Sequence, residues 1–161
     1  LDRATNAIMD RPENSVWQIP DVFGREHCTI AGEVRSQDQI EHEIIRPMGD
    51  PRIHFAVNCA AMSCPPLQTW AHTADELDEQ LDRIVRAFMA NPVHFELETG
   101  QRSVLRLNKV LDWYGDDFGG TEGLHEFFAP YLEGDEGGSR LGHDTRIEFF
   151  EYDWTLNDVS R

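Results

Sequence analysis

Lysine is almost missing from this chain: Lys109 is the only one in 161 residues, and 14 basic residues face 30 acidic ones for a net charge of −16. Phosphate backbones are held by basic patches that release counterions, so the balance argues against nucleic acid as a partner. Such acidity speaks for a well-hydrated surface and solubility rather than for a fold, with cation binding as the functional alternative. No run approaches the ~18–20 uninterrupted apolar residues of a membrane span, and no basic-then-apolar secretion signal opens the chain; a soluble domain is expected. There are only three cysteines, Cys28, Cys59 and Cys64, too few for a disulfide framework, and they do not fix the redox compartment. No glycine-rich phosphate loop follows a strand, and no G-x-S-x-G or H-E-x-x-H occurs. Nucleotide-binding, serine-hydrolase and zincin readings therefore lack their carriers. The chain opens on Leu1 rather than Met, so residues upstream are expected to have been removed or left out.

What is present reads as one mixed α+β domain over 1–161, with several short, mainly antiparallel strands and about five helices. Thr29 to Val34 reads as a strand turning at Gly32. Ser36 and Gln39 form a capping box for a helix carrying Ile40, Ile44 and Ile45 and ending before Pro47. After the turn Gly49-Asp50-Pro51, the alternation of Ile53, Phe55 and Val57 with His54, Ala56 and Asn58 predicts a strand. Thr73 and Glu76 predict the cap of a second helix, striped by Leu77, Leu81, Ile84, Val85, Phe88 and Met89. Val93 to Leu107 reads as a hairpin turning at Thr99-Gly100. Asn108 caps a helix through Trp113-Tyr114, Thr121 another that carries Phe127 and Phe128, and Ile147 to Trp154 reads as a buried strand. Glu133 to Gly138 is the one linker-like stretch.

The residue best placed for chemistry is Cys59, at the end of that predicted strand. A nucleophilic cysteine works as its thiolate, which an imidazolium or a helix N-terminus favours. The bland alternative is a buried, inert thiol. His54 lies nearby as a base or as a satisfied core histidine, and Asn58 beside Cys59 offers an amide for an oxyanion. On a helical wheel Glu41 falls within the apolar stripe between Ile44 and Ile45, with His42 at its edge. A carboxylate there needs a partner, and orienting a histidine or pairing with Arg46 would each supply one. Cys59 and Cys64, spaced C-x4-C, also admit a zinc site with His42 and His54, or a disulfide clip. Asp112, Asp116 and Asp117 with the Glu133, Asp135 and Glu136 loop offer oxygen ligands for calcium, without EF-hand spacing.

The segments Ile40-Glu41-His42 with Ile44-Ile45-Arg46, Asp50-Pro51-Arg52-Ile53-His54-Phe55-Ala56-Val57-Asn58-Cys59, and Ser63-Cys64-Pro65-Pro66-Leu67 resemble the family catalogued as domain of unknown function 547. Trp113-Tyr114, Asp117-Phe118 and Tyr152-Asp153-Trp154-Thr155-Leu156-Asn157 agree with it. The resemblance implies an N-terminal helix with an Asn-x-Tyr-Asn pattern, which this chain lacks. It also implies one shared constellation of Glu41, His42, His54 and Cys59; Asn58, Ser63, Trp113 and Tyr114 are the expected substrate contacts. By analogy the architecture would be papain- or transglutaminase-like. The expected function is a cysteine-dependent hydrolase or acyl transferase acting on a peptide-like or thiol-containing small substrate, with no required cofactor. The alternative is a non-catalytic module that binds calcium or a small ligand. Because members of the family look often exported in bacteria, a periplasmic or secreted location is expected, with the cytoplasm as the other option.

Overall fold

The computed structural model describes residues 14–100, 102–132, 141–142 and 144–157. Strands β1 (Cys28–Ile30) and β2 (Glu33–Arg35) form an antiparallel hairpin. Its two turn residues, Ala31 and Gly32, take φ of 52° and 87°, the positive pair that a two-residue I′ turn demands. Ser36 then starts helix α1 (Gln37–Gln39) with the expected capping box: Gln39 N–H donates to Ser36 Oγ, and Ser36 N–H donates to Gln39 Oε1. The helix does not stay α. It widens into π turns over Ile40–Ile45, tightens into a 3₁₀ turn over Arg46–Met48, and stops at Gly49, whose φ is 81°. The expected end before Pro47 is thus one turn early, because Pro47 sits at the start of the 3₁₀ turn, where a missing N–H costs nothing.

The larger correction concerns the predicted strand at Ile53 to Val57, which is a 3₁₀ turn over Pro51–Phe55. Asp50 caps it by accepting from Arg52 N–H, and Pro51 brings a φ already suited to the first helical position. Cys59 therefore follows a helical turn and a short irregular stretch. The Arg52 guanidinium fastens this turn to helix α2 (Leu77–Met89) through Asp50, Asp78 and Asp82, at 2.7, 2.7 and 3.1 Å.

Helix α2 buries Leu81, Ile84, Val85 and Phe88, as its stripe predicts. Its start is later than Thr73 suggests. Thr73 N–H donates to Gln80 Oε1 while Gln80 Nε2 donates to Glu76, so a side-chain-braced turn precedes the first helical residue. The hairpin is as expected: β3 (Phe95–Glu98) pairs antiparallel with β4 (Val104–Leu107), and β5 (Arg146–Phe149) joins β4 in parallel. On the outer face of this sheet, Arg106 bonds Glu96, Glu98 and Glu148. On the inner face Phe95, Leu105 and Leu107 meet Phe55, Phe88, Leu111, Leu124 and Phe128 in one core.

The final strand is shorter than predicted. The last ladder bond runs from Phe150 N–H to Leu107 O, after which the chain leaves the sheet. Asn108 Oδ1 accepts from Val110 N–H at the start of helix α3 (Val110–Trp113), and helix α4 (Gly120–Leu132) begins at Gly120, with Thr121 inside it rather than capping it. The fold is α+β, with two small sheets and four α-helices among the described residues. None of those helices is long and apolar enough to cross a membrane.

Gly123 has no room for a side chain, because a Cβ there would overlap the Phe118 carbonyl. Backbone must move to admit one. Gly123→Ala is expected to cost ~1–3 kcal/mol or more despite the better helix propensity of alanine, read as a lower denaturant midpoint. An unchanged midpoint would contradict the close approach.

Candidate functional site: a thiol and an imidazole in one cleft

A cleft of about 760 Å³ opens between α1 with its π-helical extension, the Pro51–Phe55 turn, the Cys59 loop, α3 and the segment after β5. How the loop is held determines what the cleft contains. Asn58 clamps it by accepting from Ala60 N–H and donating through Nδ2 to Pro65 O, both inside 3 Å. Ala60 takes the left-handed φ of 60°, which turns the chain back on itself. Residues 60–63 are then stitched to residues 153–157. Met62 N–H donates to Thr155 O, Asn157 N–H to Ala60 O, Ser63 N–H to Asp153 O, and Asp153 N–H to Ser63 Oγ. From below, the buried Asn108 donates to Ser63 O and to His94 Nδ1.

That stitching sets Tyr152 against the thiol. The Tyr152 hydroxyl lies 3.0 Å from Cys59 Sγ, and Cys64, only 5% exposed, brings its own sulfur to the Cys59 backbone N–H at 2.7 Å, beside the Cys59 thiol. The Cys64 S–H, then the Tyr152 O–H, then backbone N–H groups stabilise the Cys59 thiolate against the cost of burial. They bring its pKa from 9.0 down to about 7. Cys64 is pushed up, first because it donates to Cys59 and then by burial, while burial foremost keeps Tyr152 protonated. Both are therefore donors, and Cys59 is the group that ionises. Tyr152→Phe is expected to move the alkylation midpoint of Cys59 upward and to slow alkylation at pH 7 by about tenfold, since a hydrogen bond to a charged group is worth ~1.5–3 kcal/mol. Unchanged pH–rate curves for the two proteins would contradict that role for the hydroxyl.

A second polar cluster also faces the cleft. His54, 2% exposed, sends Nε2 to Asp117 Oδ2 at 2.7 Å and stacks on Tyr114 with ring centroids 4.0 Å apart. Arg46 grips the same carboxylate with two bonds of 2.7 Å. The Arg46 guanidinium, followed by the His54 ring, holds Asp117 down at about 2, and burial lowers His54 below its ordinary value. At neutral pH the pair is therefore an uncharged imidazole donating Nε2–H to a carboxylate.

These contacts sort the residues singled out in the sequence. Cys59, His54, Glu41, Asn58, Trp113 and Tyr114 all line the cleft. His42 and Ser63 are not among the residues that line it. The π-helical turns alter the 100° spacing on which the wheel for α1 relied. His42 sits 3.0 Å from Arg46, and Ser63 is buried in the stitching beneath the loop. Glu41 lies near the Tyr114 hydroxyl, whose pKa is raised by burial and then by the Glu41 charge, and Arg46 pairs with Asp117 rather than with Glu41. The carboxylate that orients the imidazole is Asp117, which the sequence offered as an oxygen ligand for calcium and within the resemblance, not as a partner of His54. Tyr152 was passed over in the same way, because the predicted strand would have buried it in a sheet. Cys59, Cys64, His42 and His54 do not assemble as four zinc ligands. Among the described residues no group of three or more His, Cys, Asp or Glu side chains is disposed to hold a metal ion. The Glu133, Asp135 and Glu136 part of the calcium expectation lies outside the described residues.

The remaining walls are aromatic and acidic. Trp113, Tyr152 and Trp154 pack on one another with centroids 4.5–5.5 Å apart, and Trp17 extends the wall against Trp154 at 5.2 Å. Among the described residues, the lining carries the carboxyl groups of Asp38, Glu41, Asp112 and Asp116 and no lysine or arginine.

Fold and cleft together define an α+β protein with the Cys59 thiol on the wall of a cleft. Residues 4–89 match the family described as "Protein of unknown function, DUF547", and the chain belongs to that family. The matched stretch holds Glu41, His54, Cys59 and Cys64, while Asp117 and Tyr152 lie beyond it. No curated protein and no solved structure matches the chain.

Proposed function

We propose that the cleft carries out cysteine-dependent acyl transfer, to water or to a second nucleophile, on a small peptide-like substrate. The observation that supports this reading best is Cys59 itself, a thiol held near half ionisation at neutral pH at the wall of a cavity large enough for a small molecule. In this reading the Cys59 thiolate attacks the acyl carbon, and no base is needed to remove its proton. His54, neutral and fixed by Asp117, serves as general base to the incoming water or second nucleophile, while the leaving group takes its proton from solvent. Arg46 and Asp117 position that ring, and Tyr114 packs against its face.

Electrostatics narrow the substrate. Four carboxyl groups and no lysine or arginine among the described lining residues disfavour anionic acyl groups and favour neutral or ammonium-bearing ones, for which the tryptophan and tyrosine faces add cation–π contact. The same aromatic and acidic lining favours a second reading, a non-catalytic module that holds a small cationic ligand.

Acyl capture separates the two. Incubating the protein with nitrophenyl esters and thioesters of amino acids is expected to place one acyl group on Cys59, seen by intact mass and peptide mapping. Lysyl and glycyl donors are expected to react about tenfold faster than glutamyl ones. Tight binding of the amine probes with no acylated Cys59 at any pH would reject the enzymatic reading in favour of the binding module.

A further inference from the structure

The acyl-transfer reading uses one sulfur of the cleft, yet two line it. Cys64 Sγ accepts from the Cys59 N–H at 2.7 Å, while its own S–H reaches Val57 O at 3.9 Å. The loop between them is closed at its mouth by Asn58 and tied along its length to residues 153–157. Both sulfurs are thus held side by side on a braced loop, with neither bridged in a disulfide. A structural clip would need the bond made permanently, and an inert core thiol would not face a cavity.

We infer that Cys59 and Cys64 are a redox-active dithiol, which exchanges with small-molecule disulfides of the glutathione-disulfide class and closes to a Cys59–Cys64 disulfide. In the first step the Cys59 thiolate attacks one sulfur of the disulfide. A Cys59–sulfur bond forms, the original S–S bond breaks, and one small thiolate leaves to take a proton from solvent. In the second step Cys64 attacks the Cys59 sulfur, forms the internal bond and expels the second small thiolate, which carries away the Cys64 proton. Two protein thiols lose two electrons, and one disulfide becomes two thiols.

The order of attack follows from the asymmetry of the pair. Cys59 is half-buried and ionised readily, so it meets the incoming disulfide, while Cys64 lies behind it, buried. Cys64 is held protonated chiefly by donating to Cys59 and by the neighbouring negative charge, in addition to burial. Once Cys59 is capped, that bond and that charge are gone, so Cys64 becomes easier to ionise at the step that uses it. The closed form has no free Cys59 thiolate, so oxidation would also silence acyl transfer. The exchange itself does not depend on that activity.

The test uses the full chain carrying Cys28→Ser, treated with excess glutathione disulfide and read by intact mass and peptide mapping. The expected product has lost two hydrogen masses, carries a Cys59–Cys64 crosslinked peptide, and is restored by dithiothreitol. Adding Cys64→Ser is expected to stop the reaction at one stable glutathione on Cys59. A parent that keeps glutathione on Cys59, or that retains both thiols free, would overturn the inference. The parent alone decides it, so a Cys64 variant that fails to fold leaves the test intact. Because glutathione exchange and acyl capture are read on separate samples, either can fail without the other.

Discussion

Cys59→Ala is expected to abolish acyl capture and to lower turnover of any acyl donor found by ~10⁴-fold or more, the scale seen when a catalytic nucleophile is removed. The loss should be one of chemistry rather than of fold. Cys59 is half-buried, and its loop is held by Asn58, by the backbone bonds to residues 153–157 and by Asn108 from beneath, none of which involves its sulfur. Thermal stability should therefore stay within about 1 kcal/mol of the parent. Two measurements on the same sample check this: the acylation time course and the unfolding midpoint. Full activity in the variant would remove the thiol from the mechanism, and gross unfolding would give the sulfur a structural role instead.

Asp117→Ala is expected to have the largest effect on stability and a large one on turnover. It strips a two-pronged partner from Arg46 and the only described carboxylate from the buried His54 ring, leaving both beside Tyr114 with unmatched donors. Breaking such a half-buried cluster from one side costs ~3 kcal/mol. An imidazole that is no longer oriented should lower turnover by ~10²-fold or more. Acid should reproduce part of this without mutation. Asp117 has a folded pKa of about 2, below its unfolded value of 3.8, so its contribution is present above pH ~4 and is lost as pH falls through about 2. That contribution is on the order of 1 kcal/mol, because solvent at the cleft screens the pair. His54 adds to the trend. Burial lowers its folded pKa below the unfolded 6.5, so stability begins to fall once pH drops under that value, as protons bind the unfolded chain first. Urea midpoints should decline in the parent below pH 6.5; in Asp117→Ala the loss between pH 6.5 and 4 should be larger, because the carboxylate that favours the charged ring is gone, and the further loss that Asp117 itself contributes below pH ~4 should be absent. Parallel curves would contradict the assignment of Asp117 and His54 as the responsible pair.

Where local signals agreed with one another, the sequence was legible. Ser36 with Gln39 marks a capping box that forms with both bonds, and the stripe on α2 is buried at Leu81, Ile84, Val85 and Phe88, with Leu77 at its start exposed. The first hairpin turns at Gly32, whose φ is 87°. The misreading at Ile53 to Val57 is instructive, because Asp50-Pro51 is at once a turn signal and an N-cap followed by a proline at the first helical position. Alternating apolar residues over five positions do not distinguish a strand from a turn of 3₁₀ helix. At the other end, Phe150 to Trp154 is apolar enough for a strand, but Tyr152 and Trp154 are drawn to the aromatic wall of the cleft, and the Asp153 side chain turns the chain by accepting from Thr155.

The site divides along the same line. Cys59, His54 and Glu41 could be picked out because thiols, imidazoles and stripe-bound carboxylates are unusual where they stand. Their partners could not. Asp117 is 63 residues from His54 and Tyr152 is 93 from Cys59, and only the folded chain brings them together. The π turns after α1 moved the pattern again, turning Glu41 to Tyr114 and His42 to Arg46.

The measurement closest to the centre of all this is the rate of iodoacetamide alkylation at Cys59 across pH 5 to 10, followed by peptide mass in the reduced Cys28→Ser protein. A single titration with its midpoint near 7 is expected from the bonds that Cys64 and Tyr152 make to the sulfur. A midpoint at about 8.5 or higher, the value of an unassisted thiol, would contradict it.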